Sequence, residues 1–247
     1  MSRKVIFAEN EFYHLYNRGV DRRTVFENDS DHRRFALLLY LCNGKIPVRF
    51  EDLPDWKGST SEELIEAVFG KKFDEPVVAI GAYCLMPNHF HLLVKEITKG
   101  GISTFMHRLS TAYTMYFNLS RRRTGALFQG RFKAEHADKD EYLKYLFSYI
   151  HLNPVKLIES EWKERGIKDL RKAEDYLASF PYSSHMDYLG TNRKFSKILN
   201  RLAFPDYFPR KGSFSRCIND WLRYKEVFPQ RGKAQPYFRK VEPYPTS

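Results

Sequence analysis

The order strand, helix, strand, strand, helix, strand points to an α+β sandwich of ferredoxin-like type, with an antiparallel sheet and one further helix behind it. Three observations carry this. Residues 76–86 and 89–97 are two apolar runs separated only by the turn pair Pro87-Asn88, which is a hairpin signal. Residues 102–120 keep helical spacing at Phe105, Leu109, Ala112, Tyr113, Tyr116 and Phe117. Leu143, Leu146, Phe147 and Ile150 form an i, i+3, i+4, i+7 stripe on a second long helix.

Taken in order, residues 11–18 (Glu-Phe-Tyr-His-Leu-Tyr-Asn-Arg) read as a strand rich in aromatics, ended by Gly19 and the basic turn Asp21-Arg22-Arg23. Asp29 or Ser30 caps a helix through about Leu41. Residues 43–75 look inserted: a loop with Gly, Pro and Ser, then a short helix from Ser61 to Phe69 that Gly70 ends. The hairpin and the long helix follow, and that helix runs out in Arg121-Arg122-Arg123. Ala126 to His136 reads as a bent strand with Gly130 at a bulge, and Asp138 or Asp140 caps the helix from Glu141 to about Leu152, stopped by Pro154. We divide the chain into residues 1–160, holding the sandwich, and 161–247, a helical and basic C-terminal extension. In that extension 161–177 is amphipathic, 180–184 is a turn, 191–230 holds two short helices and 231–247 is a tail without periodicity.

Composition narrows the function. Lys+Arg 41 against Asp+Glu 30 leaves a formal charge of +11, which suits a polyanionic partner or simply a basic protein. With 16 Tyr and 20 Phe, rings are available to stack on unpaired bases, although core packing claims most of them. Three dispersed cysteines without a CxxC pair argue against zinc ribbons and disulfides and fit a reducing cytoplasm. No apolar run approaches the ~20 residues needed to span a bilayer, so no membrane role is expected.

The chemistry sits in two stretches. In Pro87-Asn88-His89-Phe90-His91-Leu92-Leu93-Val94, strand alternation puts His89 and His91 on one face and Phe90 on the other. Two imidazoles side by side can hold one metal ion, or can be two polar residues on a wet face. On the last helix, Tyr149 and Asn153 are four apart and stack on the shoulder of the apolar stripe. Such a tyrosine beside a metal is a candidate nucleophile toward phosphorus; it is equally a packing residue with a wet hydroxyl. Asn153 precedes proline, which pushes a residue out of helical geometry and puts its place beside Tyr149 in question.

The two stretches together resemble the single-tyrosine HUH transposases (IS200-like transposases), above all the REP-associated tyrosine transposases. Pro87 to Val94 is similar to the family's His-hydrophobic-His motif, and Tyr149-Ile150-His151-Leu152-Asn153-Pro154-Val155-Lys156 to its tyrosine motif. Tyr13 to Gly19 resembles the opening strand and turn, and Phe26, Asp31 and Phe35 the pattern after it. Phe128-Gln129-Gly130-Arg131-Phe132 resembles the W-Q-x-R-F strand with Phe for Trp, and Phe180 to Ser184 the W-S-S turn with Tyr before the serines. The likeness runs over about residues 11–190.

This resemblance implies the HUH endonuclease fold, with His89, His91 and Asn153 as ligands of Mg²⁺ or Mn²⁺ and Tyr149 as nucleophile. An imidazole and amide set is unusual for Mg²⁺, which prefers oxygen, so substrate phosphate and water would complete it. It implies nicking and rejoining of single-stranded DNA beside REP-like hairpins, through a 5′-phosphotyrosine. Arg18, Arg22, Arg23, Arg121, Arg122, Arg123, Arg131 and Lys133 are then candidate DNA contacts. The setting expected is a bacterial cytoplasm with the nucleoid as substrate, and a monomer or homodimer. The alternative is a domesticated hairpin-binding protein without turnover. A replication initiator or relaxase would want a helicase domain, and an RNA-binding ferredoxin-like domain would want aromatic strand motifs that are absent here.

Overall fold

The computed structural model describes residues 5–46, 48–53, 60–71, 75–210 and 212–223. Its centre is a four-stranded antiparallel sheet in the order β2-β3-β1-β4, with β1 at Phe12–Arg18, β2 at Val78–Met86, β3 at His89–Glu96 and β4 at Lys133–His136. That is the order of a ferredoxin-like sandwich. Met86 pairs with His89, so Pro87 and Asn88 form a two-residue hairpin turn.

The two faces of the sheet are both covered, by different helices. Leu15, Phe90, Leu92 and Val94 pack with Phe35 of α1 (Asp29–Leu41) and Phe105, Leu109 and Tyr113 of α3 (Gly101–Ser120). The helix α2 (Ser61–Gly70), from the inserted segment, adds Ile65, Val68 and Phe69 to this core. On the other face Cys84, Met86 and Leu93 pack under Leu143, Leu146, Phe147 and Ile150 of α4 (Asp140–Leu152). The predicted stripe on α4 is therefore what roofs the second face. A bulge between Ile80 and Ala82 lets β2 serve both cores, and its extra residue is Gly81. A Cβ on Gly81 would meet the Phe204 ring at 2.7 Å, so only glycine admits that ring.

Several boundaries differ from the sequence reading for local reasons. The cap of α1 is Asn28, whose side chain accepts from the Asp31 N–H. Thr60 and Glu63 form a reciprocal capping box on α2. The strand expected over 126–136 is ordered as a ladder only from Lys133; Gly130, at φ 69°, turns the chain before it, and Phe128 keeps a lone bridge to Gly19. Lys139 rather than an aspartate stands at the N-cap of α4, without a side-chain cap. Asn153 stays helical at φ −53°, ψ −41°, and the chain continues as a 3₁₀ turn over Asn153–Leu157.

Residues beyond 160 build onto the same sheet. They comprise α5 (Trp162–Arg165), α6 (Leu170–Ser179), α7 (His185–Tyr188), two 3₁₀ turns (Lys194–Ile198 and Arg201–Ala203) and α8 (Ser213–Leu222). Ile198 enters the α1/α3 core and Phe180 and Phe204 enter the α4 core. The predicted turn at 180–184 pairs with the outer edge of β2: Leu85 N–H donates to the Tyr182 carbonyl and Ser184 N–H to that of Tyr83, at 2.9 and 3.0 Å. It thereby closes a sheet edge that would otherwise be open. Cys42 and Cys84 are buried and Cys217 half-buried, all as free thiols. The tail expected over 231–247 lies outside the described residues.

Arg193 locks this edge. It donates twice to Asp187, at 2.9 and 2.5 Å, and to the carbonyls of Pro181 and Ser183 at 2.7 and 2.5 Å. The Asp187 side chain is fully buried, so deleting its partner strands a charge. Arg193→Ala is expected to cost about 3 kcal/mol of stability, seen as a lower urea midpoint, with protection from hydrogen exchange lost first around residues 182–193.

Candidate active site

The site lies between β1, β3 and α4, on the sheet face that α4 roofs. Register sets it. Tyr16 pairs with His91 and Arg18 with His89, so His14, Tyr16 and Arg18 of β1 share a face with both histidines. His89 is half-buried and His91 almost fully so. Their rings meet edge to face, with centroids 4.9 Å apart.

The tyrosine comes down from the helix onto that pair. The Tyr149 ring stands edge-on to His91 at 5.5 Å and to His14 at 5.7 Å. Asn153, one turn on, donates from its amide to the Tyr149 carbonyl at 2.8 Å. It keeps helical geometry although proline follows it, and the chain runs on as a 3₁₀ turn. Strand register and the packing of α4 thus bring His91 and Tyr149 together, and helical spacing keeps Asn153 one turn beyond the tyrosine.

Three ring nitrogens at the site have a defined partner. The His89 Nδ1 lies 2.6 Å from the Asn88 side-chain oxygen, and the His91 Nδ1 lies 2.9 Å from the His14 Nε2. Burial keeps these imidazoles neutral. It pushes His14 and His89 down to about 3, the latter with help from Lys156 and Arg18. His91 falls well below its usual value through burial first, then through His89, His14, Lys163 and Lys156. Neutral imidazoles are the form that ligates metal. Among the described residues, no group of three His, Cys, Asp or Glu could hold a metal ion.

Four groups went unnoticed in the sequence. His14 was visible as one more residue of an aromatic strand, and only the β1–β3 register puts it against His91. Glu135 of β4 accepts from Tyr16 and from Tyr142 of α4, both at 2.9 Å, closing the far side of the site. Lys163 places its ammonium 4.8 Å from the centre of the Tyr149 ring. Lys156, from the 3₁₀ turn after α4, adds positive potential at both His89 and His91. Only the tertiary fold brings Lys163 to the site, because α5 is sequence-distant from β3.

The eight basic candidates divide. Arg22, Arg23, Arg122, Arg131 and Lys133 are exposed, and Arg18 is half-buried with its Nε donating to Gln129 at 2.7 Å. Arg18, Arg22, Arg23, Arg131 and Lys133 belong to segments that meet beside His89. Gly19 N–H donates to the Asn88 carbonyl and Gln129 N–H to that of Arg18, each at 2.8 Å. Arg121 and Arg123 are otherwise engaged. Arg121 pairs with Glu27 at 2.9 Å and with the fully buried Asp31 at 2.5 Å. Arg123 donates to Asn118 and to the Ala126 carbonyl at 2.6 and 3.1 Å. These two arginines hold the end of α3.

Residues 55–153 match the family model described as "Transposase IS200 like". The matched span holds His89, His91, Tyr149 and Asn153, while β1 with His14 precedes it in the chain and pairs into the same sheet. No curated protein matches the chain. Among solved structures it is similar to a REP-associated tyrosine transposase bound to a REP hairpin, at 15% identity over 83% of this chain and 89% of that one, with a TM-score of 0.47. No helix among the described residues is long and apolar enough to cross a membrane.

Six of the eight histidines are held below their usual value by burial: His14, His32, His89, His91, His151 and His185. Each is neutral in the fold and gains a proton near pH ~6.5 when unfolded. Unfolding therefore takes up protons on acidification, and stability drops from about pH 6.5 downward until the folded groups themselves titrate. Going from pH 7 to 4.5 is expected to lower stability by on the order of 3 kcal/mol or more, measured as a progressive fall in Tm.

Proposed function

We propose that this protein cuts and rejoins single-stranded DNA beside hairpins, with Tyr149 as the nucleophile. The observation that carries the reading is the Tyr149 ring set 5.5 Å from His91, on a covered sheet face bordered by exposed arginines. A basic approach to a buried nucleophile suits a polyanion whose backbone must be held while one phosphodiester reacts. REP-like hairpins are the substrate we assign, on the motif series along residues 11–190.

In the first step a bond forms between the Tyr149 oxygen and phosphorus while the bond from phosphorus to O3′ breaks. The phenol proton is released and the departing 3′ oxygen takes one up. The strand is left with a 5′-phosphotyrosine and a free 3′-OH, and the phosphodiester energy is conserved. A second 3′-OH then attacks the same phosphorus, and Tyr149 leaves as the phenol. Lys163 and Lys156 favour the phenolate and the charge developing on the phosphate oxygens. Arg18, Arg22, Arg23, Arg122, Arg131 and Lys133 are the groups we assign to the DNA backbone.

The donor set fits a divalent cation, Mg²⁺ or Mn²⁺. The Nδ1 of His89 is taken by Asn88, which leaves Nε2 as its donor atom, and Asn153 donates one amide N–H to the Tyr149 carbonyl and keeps its oxygen. When bound at His89, His91 and Asn153, such a cation polarises the scissile phosphate and orients it for in-line attack.

Tyr149→Phe should bind a labelled hairpin with affinity within about threefold of the wild type and yield no covalent adduct on a denaturing gel. An adduct surviving in this variant would sink the assignment of the nucleophile. Wild-type protein that binds the hairpin yet never forms an adduct, with Mn²⁺ present, would favour a domesticated binding protein instead. Arg131→Ala should weaken binding of unrelated hairpins equally and lower the salt slope by about one.

A further inference from the structure

Two neutral imidazoles can sit with ring nitrogens 2.9 Å apart only if one carries a proton and the other a lone pair. His14 Nε2 and His91 Nδ1 are in that position, on rings that are 0% and 1% exposed, so water cannot substitute for either partner. Two arrangements are possible. If His14 donates, the proton of His91 is left on Nε2 and that atom cannot bind a cation. If His91 donates from Nδ1, its Nε2 holds a lone pair. The same choice is already made at His89, whose Nδ1 at 2.6 Å from the Asn88 side-chain oxygen must carry the proton.

We propose that His14 is a positioning residue that accepts the Nδ1 proton of His91 and so fixes the tautomer in which His91 Nε2 is the donor atom. The proposal rests on the reading of His89 and His91 as ligands. Asn88 and His14 act on the pair in parallel from different elements, the hairpin turn and the neighbouring strand β1. Both histidines then present Nε2 lone pairs. His14 ring packing adds orientation: it stacks on His91 at 5.1 Å with the planes 21° apart, and it meets the Tyr149 ring edge-on. One side chain thus touches one ligand and the nucleophile. The other nitrogen of His14, Nδ1, is buried without a hydrogen-bond partner. A residue kept for packing alone would shed that cost as a phenylalanine or leucine. What a histidine adds at this position is an acceptor aimed at His91.

The test uses the full chain with ¹⁵N-labelled histidine and without metal. Long-range proton–nitrogen correlation spectra assign the tautomer of each ring. His91 is expected to be protonated at Nδ1; protonation at Nε2 in the wild type overturns the proposal without any variant. His14→Gln keeps an acceptor and should preserve the His91 tautomer and bind Mn²⁺ within about threefold of the wild type. His14→Phe keeps the ring and removes the acceptor. It should give a mixture of His91 tautomers and weaken Mn²⁺ binding by about 10- to 100-fold, read by electron paramagnetic resonance of free Mn²⁺. A His14→Phe protein with wild-type Mn²⁺ affinity overturns the role of His14. His89→Ala is the control on the metal itself: if it binds Mn²⁺ as well as the wild type does, the ligand reading fails, independently of the tautomer found at His91.

Discussion

Everything at this site depends on the alternation of side chains along β3. Phe90, Leu92 and Val94 belong to the core under α1 and α3, and His89, His91 and Leu93 to the face under α4. A shift of one residue would exchange the two sets and bury three large apolar groups against the tyrosine. The two-residue turn at Pro87-Asn88 prevents it by pinning Met86 to His89. Gly19 helps from the other side. Its N–H donates to the Asn88 carbonyl, and a Cβ there would lie 2.2 Å from the Arg23 carbonyl, so the basic turn can close over the hairpin only at a glycine. The local fold that aligns the histidines is therefore also what brings Arg22 and Arg23 alongside.

Covering the second sheet face distinguishes this molecule from a bare ferredoxin-like sandwich. An open face would leave His89 and His91 in water, charged over part of the physiological range and weakly positioned. Under α4, desolvation outweighs any gain from protonation, and the imidazoles stay neutral. Neighbouring cations push the same way. Lys156 and Lys163 lower His91 further, and Lys163 also lies over the Tyr149 ring.

The architecture was legible because its signals are local. Alternation in β3, the turn pair at 87–88 and the stripe on α4 each need only a few consecutive residues, and together they bring His89, His91 and Tyr149 onto one face. The remainder depended on pairings that no local window contains. His14 meets His91 through strand register, and Arg193 reaches Asp187, Tyr83 and two carbonyls across the sheet edge. The strand ending in β4 was read too long because Gly130 looks the same in a bulge and in a left-handed turn. Asn153 was doubted because proline follows it, yet a 3₁₀ turn accommodates both. The part the extension plays in the sheet is not local either: its Phe180, Ile198 and Phe204 each fill a core position from turns and 3₁₀ segments.

A net charge of +11 does not measure the surface offered to a polyanion. Arg121 and Arg193 each balance a fully buried aspartate, and their loss would act on the fold before it acted on any ligand. Arg123 ties down the loop after α3 through Asn118 and a carbonyl. Of the triple block Arg121-Arg122-Arg123, only the middle residue points outward, at a left-handed φ of 49° that turns the chain between two anchored neighbours. A run of like charges can therefore be a structural terminus flanking a single outward group, and charge counted along a sequence overstates the electrostatic footprint. Apart from Arg122, the basic groups that remain, Arg18, Arg22, Arg23, Arg131 and Lys133, lie on segments joined by hydrogen bonds beside His89.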